Sequence, residues 1–138
     1  MRLTYYGHSA FRIEAGSSTI LVDPFLTGNR HFTGDVAEVA KGVTHIALTH
    51  GHSDHVGDTL EIARQTDARV IGNFELASWL AGKGVANVEP GNTGGTLRFD
   101  DFSVTFTQAF HSSGNVEEDG QVTYLGMPNG LVSVSYTH

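Results

Sequence analysis

The sequence predicts a mixed α/β (α+β) domain from three observations. Strand-like runs crowd its first 24 residues, two helical stripes each follow a short apolar strand in the middle, and a hairpin pattern fills the later third. The length of 138 residues suits one domain, and a chain of that size buries about 70% of its unfolded surface. With 39% hydrophobic and 17% charged residues and no run of like charge, the chain has the composition of an ordinary globular protein.

Taken in order, "LTYYG", "AFRIEA" and "TILVDP" form an opening β-meander; in the second run Phe11 and Ile13 alternate with Arg12 and Glu14, as in a half-buried strand. The stretch "PFLTGNRHFTGD" is rich in turn formers and has no sustained period, which predicts a loop ahead of a short helix near Val36 to Lys41. "THIALT" is a compact apolar strand. After it Val56, Leu60 and Ala63 recur at i, i+4 and i+7, which predicts one helix running to about Gln65. "RVIG" is the next strand, and a second helix buries Leu76, Trp79 and Leu80 before Gly82 and Gly84 end it. A hairpin follows from "TLRF" through a turn at Asp100 and Asp101 into "FSVTFTQAF", where Phe102, Val104 and Phe106 alternate with polar residues. His111 lies just past that strand. No repeat or interdomain linker interrupts the pattern.

Composition removes several function classes. The absence of cysteine excludes disulfides, cysteine-based zinc sites and thiol nucleophiles, so any metal must sit on histidine and carboxylate. No segment has the length of a signal peptide's apolar region or a membrane helix, and the expected location is cytoplasmic with no membrane partner. A net charge of −7 makes nucleic acid a poor partner. Neither a G-x-S-x-G elbow nor an H-E-x-x-H helix occurs.

What stands out is "THGHSDHVGD", residues 49 to 58, which gathers His50, His52, Asp54 and His55 in six positions of a chain with eight histidines. His50 and His52 are two apart at a strand exit and can point the same way, while Asp54 and His55 open the following helix and can face an adjoining point. Two metals could share such a turn. Imidazole and carboxylate suit zinc and also admit manganese or iron. Metal-bound water with a pKa lowered to about 7 supplies hydroxide at neutral pH, which predicts hydrolysis. A polar turn with a capping Asp54 and incidental histidines is the competing reading, and the ligand types and spacing weigh against it.

"THGHSDH" resembles the H-x-H-x-D-H signature of the metallo-β-lactamase fold superfamily. "YYGHSAF", "ILVDPFLTGN" and "FTQAFHSSG" resemble segments of its family of uncharacterised metal-dependent hydrolases, similar to ascorbate-phosphate lactonases. The resemblance runs from Met1 to about Leu131. It implies an αββα sandwich with a dinuclear site, two zinc ions by expectation, at the top edge of the two sheets. His50, His52 and His111 would hold the first metal, and Asp54 and His55 would contribute to the second and to catalysis. Asp23, in "VDP", is implied as a carboxylate orienting the histidine turn, with a plain turn-starting Asp as the alternative. His8 in the first hairpin and His31 in the long loop are candidates for the substrate pocket; a hairpin histidine and a solvated loop histidine are the competing readings. His45 reads as a surface residue, and Asp58, close after His55, is not assigned to metal.

The resemblance places a bridging Asp and a last His beyond residue 138, so the expected sandwich is incomplete. Residues 1–132 read as a partial hydrolase domain. Residues 133–138 read as a non-native tail, since "VSYTH" matches one reading frame of a common sequencing adaptor, and His138 is therefore not counted as a ligand. Glu117, Glu118 and Asp119 read as a solvated hairpin loop. The expected function is a metal-dependent hydrolase acting through metal-bound hydroxide on an ester, lactone or phosphodiester of small-molecule size, with this chain itself a poor catalyst. The alternative is a non-hydrolytic member of the same fold, either a di-iron redox protein or a metal-binding module. In di-iron relatives a carboxylate usually stands where His52 is, which favours hydrolysis. Oligomeric state is not encoded in these features.

Overall fold

The computed structural model describes residues 1–135. Strands β1 (Arg2–Gly7), β2 (Ala10–Ala15) and β3 (Ser18–Val22) form the expected antiparallel meander. The chain then crosses over through α1 (Val36–Ala40) to β4 (His45–Ala47), which runs parallel to β3. Helices α2 (Ser53–Val56) and α3 (Thr59–Thr66) lead to β5 (Arg69–Asn73), and α4 (Phe74–Gly82) leads to β6 (Val88–Gly91). These strands make one six-stranded sheet in chain order, β1 through β6. A second sheet has the order β11–β8–β7, from β7 (Thr96–Arg98), β8 (Phe102–Gln108) and β11 (Asn129–Ser135), and a small hairpin pairs β9 (Gly114–Val116) with β10 (Val122–Tyr124).

Alternation along the parallel strands divides the core. Leu21, Ile46 and Val70 face the helices and pack with Ile62, Leu76 and Leu80. Their neighbours Ile20, Ala47 and Ile71 face the other way and pack on Phe102, Val104 and Phe106 of β8. A sheet buried on both faces needs apolar residues at successive positions, which is why "HIA" and "RVIG" read as continuous apolar runs. The described residues thus form three layers of the expected sandwich, helices on sheet on sheet. Val132 and Val134 of β11 are exposed.

The predicted helix from Val56 to about Gln65 is two helices. Gly57 breaks it at φ +45° and ψ −126°, and a Cβ there would fall on the Pro24 carbonyl oxygen and the Phe25 backbone. The break lets the turn after β3 press against the chain between α2 and α3. The sequence reading also missed β6, because Pro90 argues against a strand; β6 is the edge of its sheet, where a missing N–H costs no ladder bond. His45, read as surface, is half-buried between Phe99 and Phe102, and burial followed by the nearby Arg69 charge lowers its pKa. Of the expected tail, Ser133 to Ser135 continue β11 opposite Val104 to Phe102, whereas residues 136–138, with His138, lie outside the described residues.

Phe106 is fully buried between the sheets. Phe106→Ala is expected to lower the unfolding free energy of the chain by about 3–5 kcal/mol in a denaturant titration. A loss below about 1 kcal/mol would show that the second sheet is not held by this contact.

Candidate metal centre

The clustered side chains gather at the carboxyl ends of the parallel strands, where adjacent loops leave an open edge. Asp23 follows β3, residues 49 to 55 follow β4, and Asn73 ends β5. Asp23 is 1% exposed and adopts φ +42°, a conformation that Asp tolerates better than most residues. One carboxylate oxygen accepts the Thr49 backbone N–H at 2.8 Å. The other accepts the Thr49 hydroxyl at 2.7 Å and His55 Nδ1 at 2.8 Å. A buried carboxylate is costly unless such donors surround it. Here they also fix the two ends of the histidine turn.

The strand-exit geometry sends His50 and His52 to one point. His50 Nδ1 is held by the Thr49 hydroxyl at 2.9 Å, and its Nε2 lies 3.1 Å from His52 Nδ1. His111 joins them from beyond β8: its ring centroid is 4.8 Å from that of His50 and 5.0 Å from that of His52. The Ser113 hydroxyl delivers this segment, accepting the Gly51 N–H at 3.0 Å and donating to the Leu125 carbonyl at 3.1 Å. One nitrogen from each of His50, His52 and His111 lies within 4.8 Å of the other two. Ligands at the bond lengths of tetrahedral zinc stand about 3.3–3.6 Å apart, so the His50–His52 approach is already near that spacing. Burial, reinforced by the charge of His55, lowers the His50 pKa to about 4. The ring is therefore neutral at neutral pH, the state in which imidazole binds a metal.

A second group stands beside the first. His55, with its Nδ1 on Asp23, leaves Nε2 toward Asp54 and the first hairpin. Burial alone would lower the His55 pKa; the hydrogen bond and charge of Asp23, helped by Asp54, outweigh it and raise the pKa. The His8 ring reaches this group with Nε2 3.2 Å from Asp54 Oδ2. The donor set, imidazole and carboxylate with a buried second carboxylate behind one ring, fits zinc in both groups.

The structure therefore brings together all five residues read as metal ligands and sets Asp23 behind His55. His31 is exposed, lies beside Gly7, and belongs to neither group among the described residues. Asp58 is not in either group; its carboxylate accepts the Leu26 and Thr27 N–H groups at 2.8 and 2.9 Å and ties the loop after Asp23 to α3. Sequence reasoning missed Thr49, Ser112 and Ser113, whose hydroxyls support the turn, the Ser112 hydroxyl standing 3.2 Å from His52 Nε2. Serine and threonine are too common in loops to signal this role.

The pattern of the metallo-beta-lactamase superfamily matches residues 3–138. The chain belongs to the metallo-beta-lactamase superfamily. It is 60% identical over 133 residues to a protein of Agrobacterium fabrum named UPF0173 metal-dependent hydrolase, a match covering 96% of this chain and 57% of that one. A Brucella anthropi protein of the same name is 58% identical with the same coverage. The chain thus spans a little over half the length of these curated relatives. Among solved structures it is similar to Igni18, a metallo hydrolase from Ignicoccus hospitalis, with a TM-score of 0.81, 32% identity and coverage of 96% of this chain and 55% of that one. CmlA, a diiron β-hydroxylase from Streptomyces venezuelae, shares the fold, with a TM-score of 0.71, 23% identity and coverage of 96% and 27%.

Because Asp23 holds three donors, Asp23→Ala leaves the part-buried Thr49 N–H without its side-chain partner. The expected cost is about 1–3 kcal/mol of stability, accompanied by faster amide exchange at Thr49. Unchanged protection of that amide would contradict the role given to Asp23.

Proposed function

We propose that this chain carries the metal-binding half of a hydrolase that cleaves an ester, lactone or phosphodiester bond in a small molecule. The observation that carries the reading is the convergence of His50, His52 and His111, one nitrogen from each lying within 4.8 Å of the other two and His50 Nε2 standing 3.1 Å from His52 Nδ1. His50, His52 and His111 would hold the first metal, and Asp54 and His55 would contribute to the second. Zinc suits these donors, and manganese or iron can share them. A divalent ion bound there supplies Lewis-acid polarisation of the substrate and a water acidic enough to ionise near neutral pH.

The chain's own residues do the rest. Asp23 fixes which His55 nitrogen faces the second group. Thr49 does the same for His50, and Ser113 fixes the loop that bears His111. A hollow of about 860 Å³ opens beside His52 and His111, walled by Phe110, Val116, Val122 and Tyr124, and its size suits a small molecule. The names of the Agrobacterium, Brucella and Ignicoccus relatives agree with hydrolysis. No described helix is long and apolar enough to cross a membrane.

In a zinc titration, the His50→Ala/His52→Ala double variant is expected to bind at least one metal fewer per chain than the wild type. It is also expected to lose the thermal stabilisation that zinc gives the wild type. Equal stoichiometry in the two proteins would sink the assignment of the first site. Metal analysis of protein purified without added metal tests the redox alternative: predominant iron would favour it, and zinc or manganese the hydrolase.

A further inference from the structure

We propose that the substrate of this site carries an uncharged apolar group, an alkyl chain or an aromatic ring, which rests against the β9–β10 hairpin. Glu117 is the residue that positions that hairpin. The inference rests on the hydrolase reading above and names the substrate class for it. Among the described residues no Asp, Glu, Lys or Arg lines the hollow beside His52 and His111. A phosphate or carboxylate lying there, away from the metals, would find no counter-charge, and the chain's net charge of −7 would repel it. Apolar side chains stand there instead. Val116, Val122 and Tyr124 are 66, 72 and 65% exposed and Phe110 is 92% exposed, a grouping that a protein surface rarely leaves open unless something binds it. His52 and His111 line the same hollow, so a molecule whose reacting bond lies at the histidines extends its remaining part over these side chains.

The hairpin is built to present that wall. Its register pairs Val122 with Val116 and Tyr124 with Gly114, so alternation sets Val116, Val122 and Tyr124 on one face and Asn115 and Thr123 on the other. A two-stranded ribbon by itself is marginal in water, and this one joins neither larger sheet. It is fastened at both ends. At the base, the Ser113 hydroxyl and the Asn73 side-chain amide both donate to the carbonyl of the buried Leu125. Toward the tip stands Glu117, read from the sequence as part of a solvated loop, yet only partly exposed. Its carboxylate accepts hydrogen bonds from Trp79 Nε1 of α4 at 2.9 Å, from Lys83 Nζ just past α4 at 2.8 Å and from the Thr123 hydroxyl at 3.0 Å. Lys83 also lies over the Trp79 ring, 5.1 Å from its centroid. Three donors from two elements thus hold the polar side of the hairpin on α4, and the apolar side is left to the hollow.

Alkyl hydroxamic acids test this on the zinc-loaded 138-residue chain, because their metal-binding head is constant and only the tail grows. From acetohydroxamate to octanohydroxamate the calorimetric affinity is expected to rise about two- to fourfold per methylene, with the longer tails shifting the amide signals of Val116, Val122 and Tyr124. Val122→Thr keeps a β-branched strand residue and is expected to flatten the rise. Glu117→Ala is expected to flatten it too and to move the indole N–H signal of Trp79, the chain's one tryptophan. Glu117→Gln still accepts that N–H and is expected to restore both. An affinity independent of tail length, or a rise that Val122→Thr leaves intact, overturns the apolar-group assignment while the metal site stands. A rise untouched in Glu117→Ala overturns the role of Glu117. Hydroxamates that fail to bind, or that bind the His50→Ala/His52→Ala variant equally well, overturn the metal reading and the inference with it. A wild type that sediments as a dimer, made monomeric by Val122→Lys, marks the wall as an interface between copies and overturns the proposal.

Discussion

The site depends on one buried carboxylate. Asp23 ends the third strand and is reached by three donors, two from Thr49 and one from His55, so a single group ties the strand exit to the helix that follows six residues on. A carboxylate in that position is tolerable only while all three donors stay in place, and the donors stay in place only while the turn keeps its shape. The constraint is mutual. It orients His55 directly and His50 through the Thr49 hydroxyl, which also contacts His50 Nδ1.

Everything around that carboxylate serves to bring distant chain to the same edge. Parallel pairing of β3, β4 and β5 aligns three strand ends, so their following loops meet without long connections. The aromatic face of β8 docks on the opposite side of the sheet, and the segment leaving β8 carries His111 to the turn, where Ser113 and the Gly51 amide fasten it. Gly51 has no room for a side chain because Leu125 fills that space. Asn73 caps α4 with its carbonyl oxygen and holds the Leu125 and Met127 carbonyls with its amide. The first imidazole group is therefore assembled by both sheets, and the second by the first sheet alone.

Much of this was legible in the residues. The ligand turn spells its chemistry locally, since four donors fall within six positions, and the meander, the parallel strands and the β7–β8 hairpin follow from period-2 and continuous apolar runs. The errors came where a tertiary contact overrode a local pattern. Val56, Leu60 and Ala63 keep a helical stripe across Gly57 although the backbone does not, because the break is imposed by Pro24 and Phe25, more than thirty residues earlier. The β6 strand was hidden by Pro90, whose cost depends on being at a sheet edge. His8 could be placed near the site only by resemblance, and its approach to Asp54 joins residues too far apart in sequence for any spacing rule.

The central claim is that hydrogen bonding to Asp23 forms the site in the folded chain before any metal arrives. Long-range nitrogen–proton NMR of the imidazoles, recorded on metal-free protein at mildly alkaline pH and then through a zinc titration, tests it most directly. The account predicts that His55 already carries its proton on Nδ1 without metal, and that zinc shifts signals only in the turn, the His111 segment and the tip of the β1–β2 hairpin. A His55 ring that averages between its two tautomers, with zinc reshaping the amide spectrum across the first sheet, would contradict it.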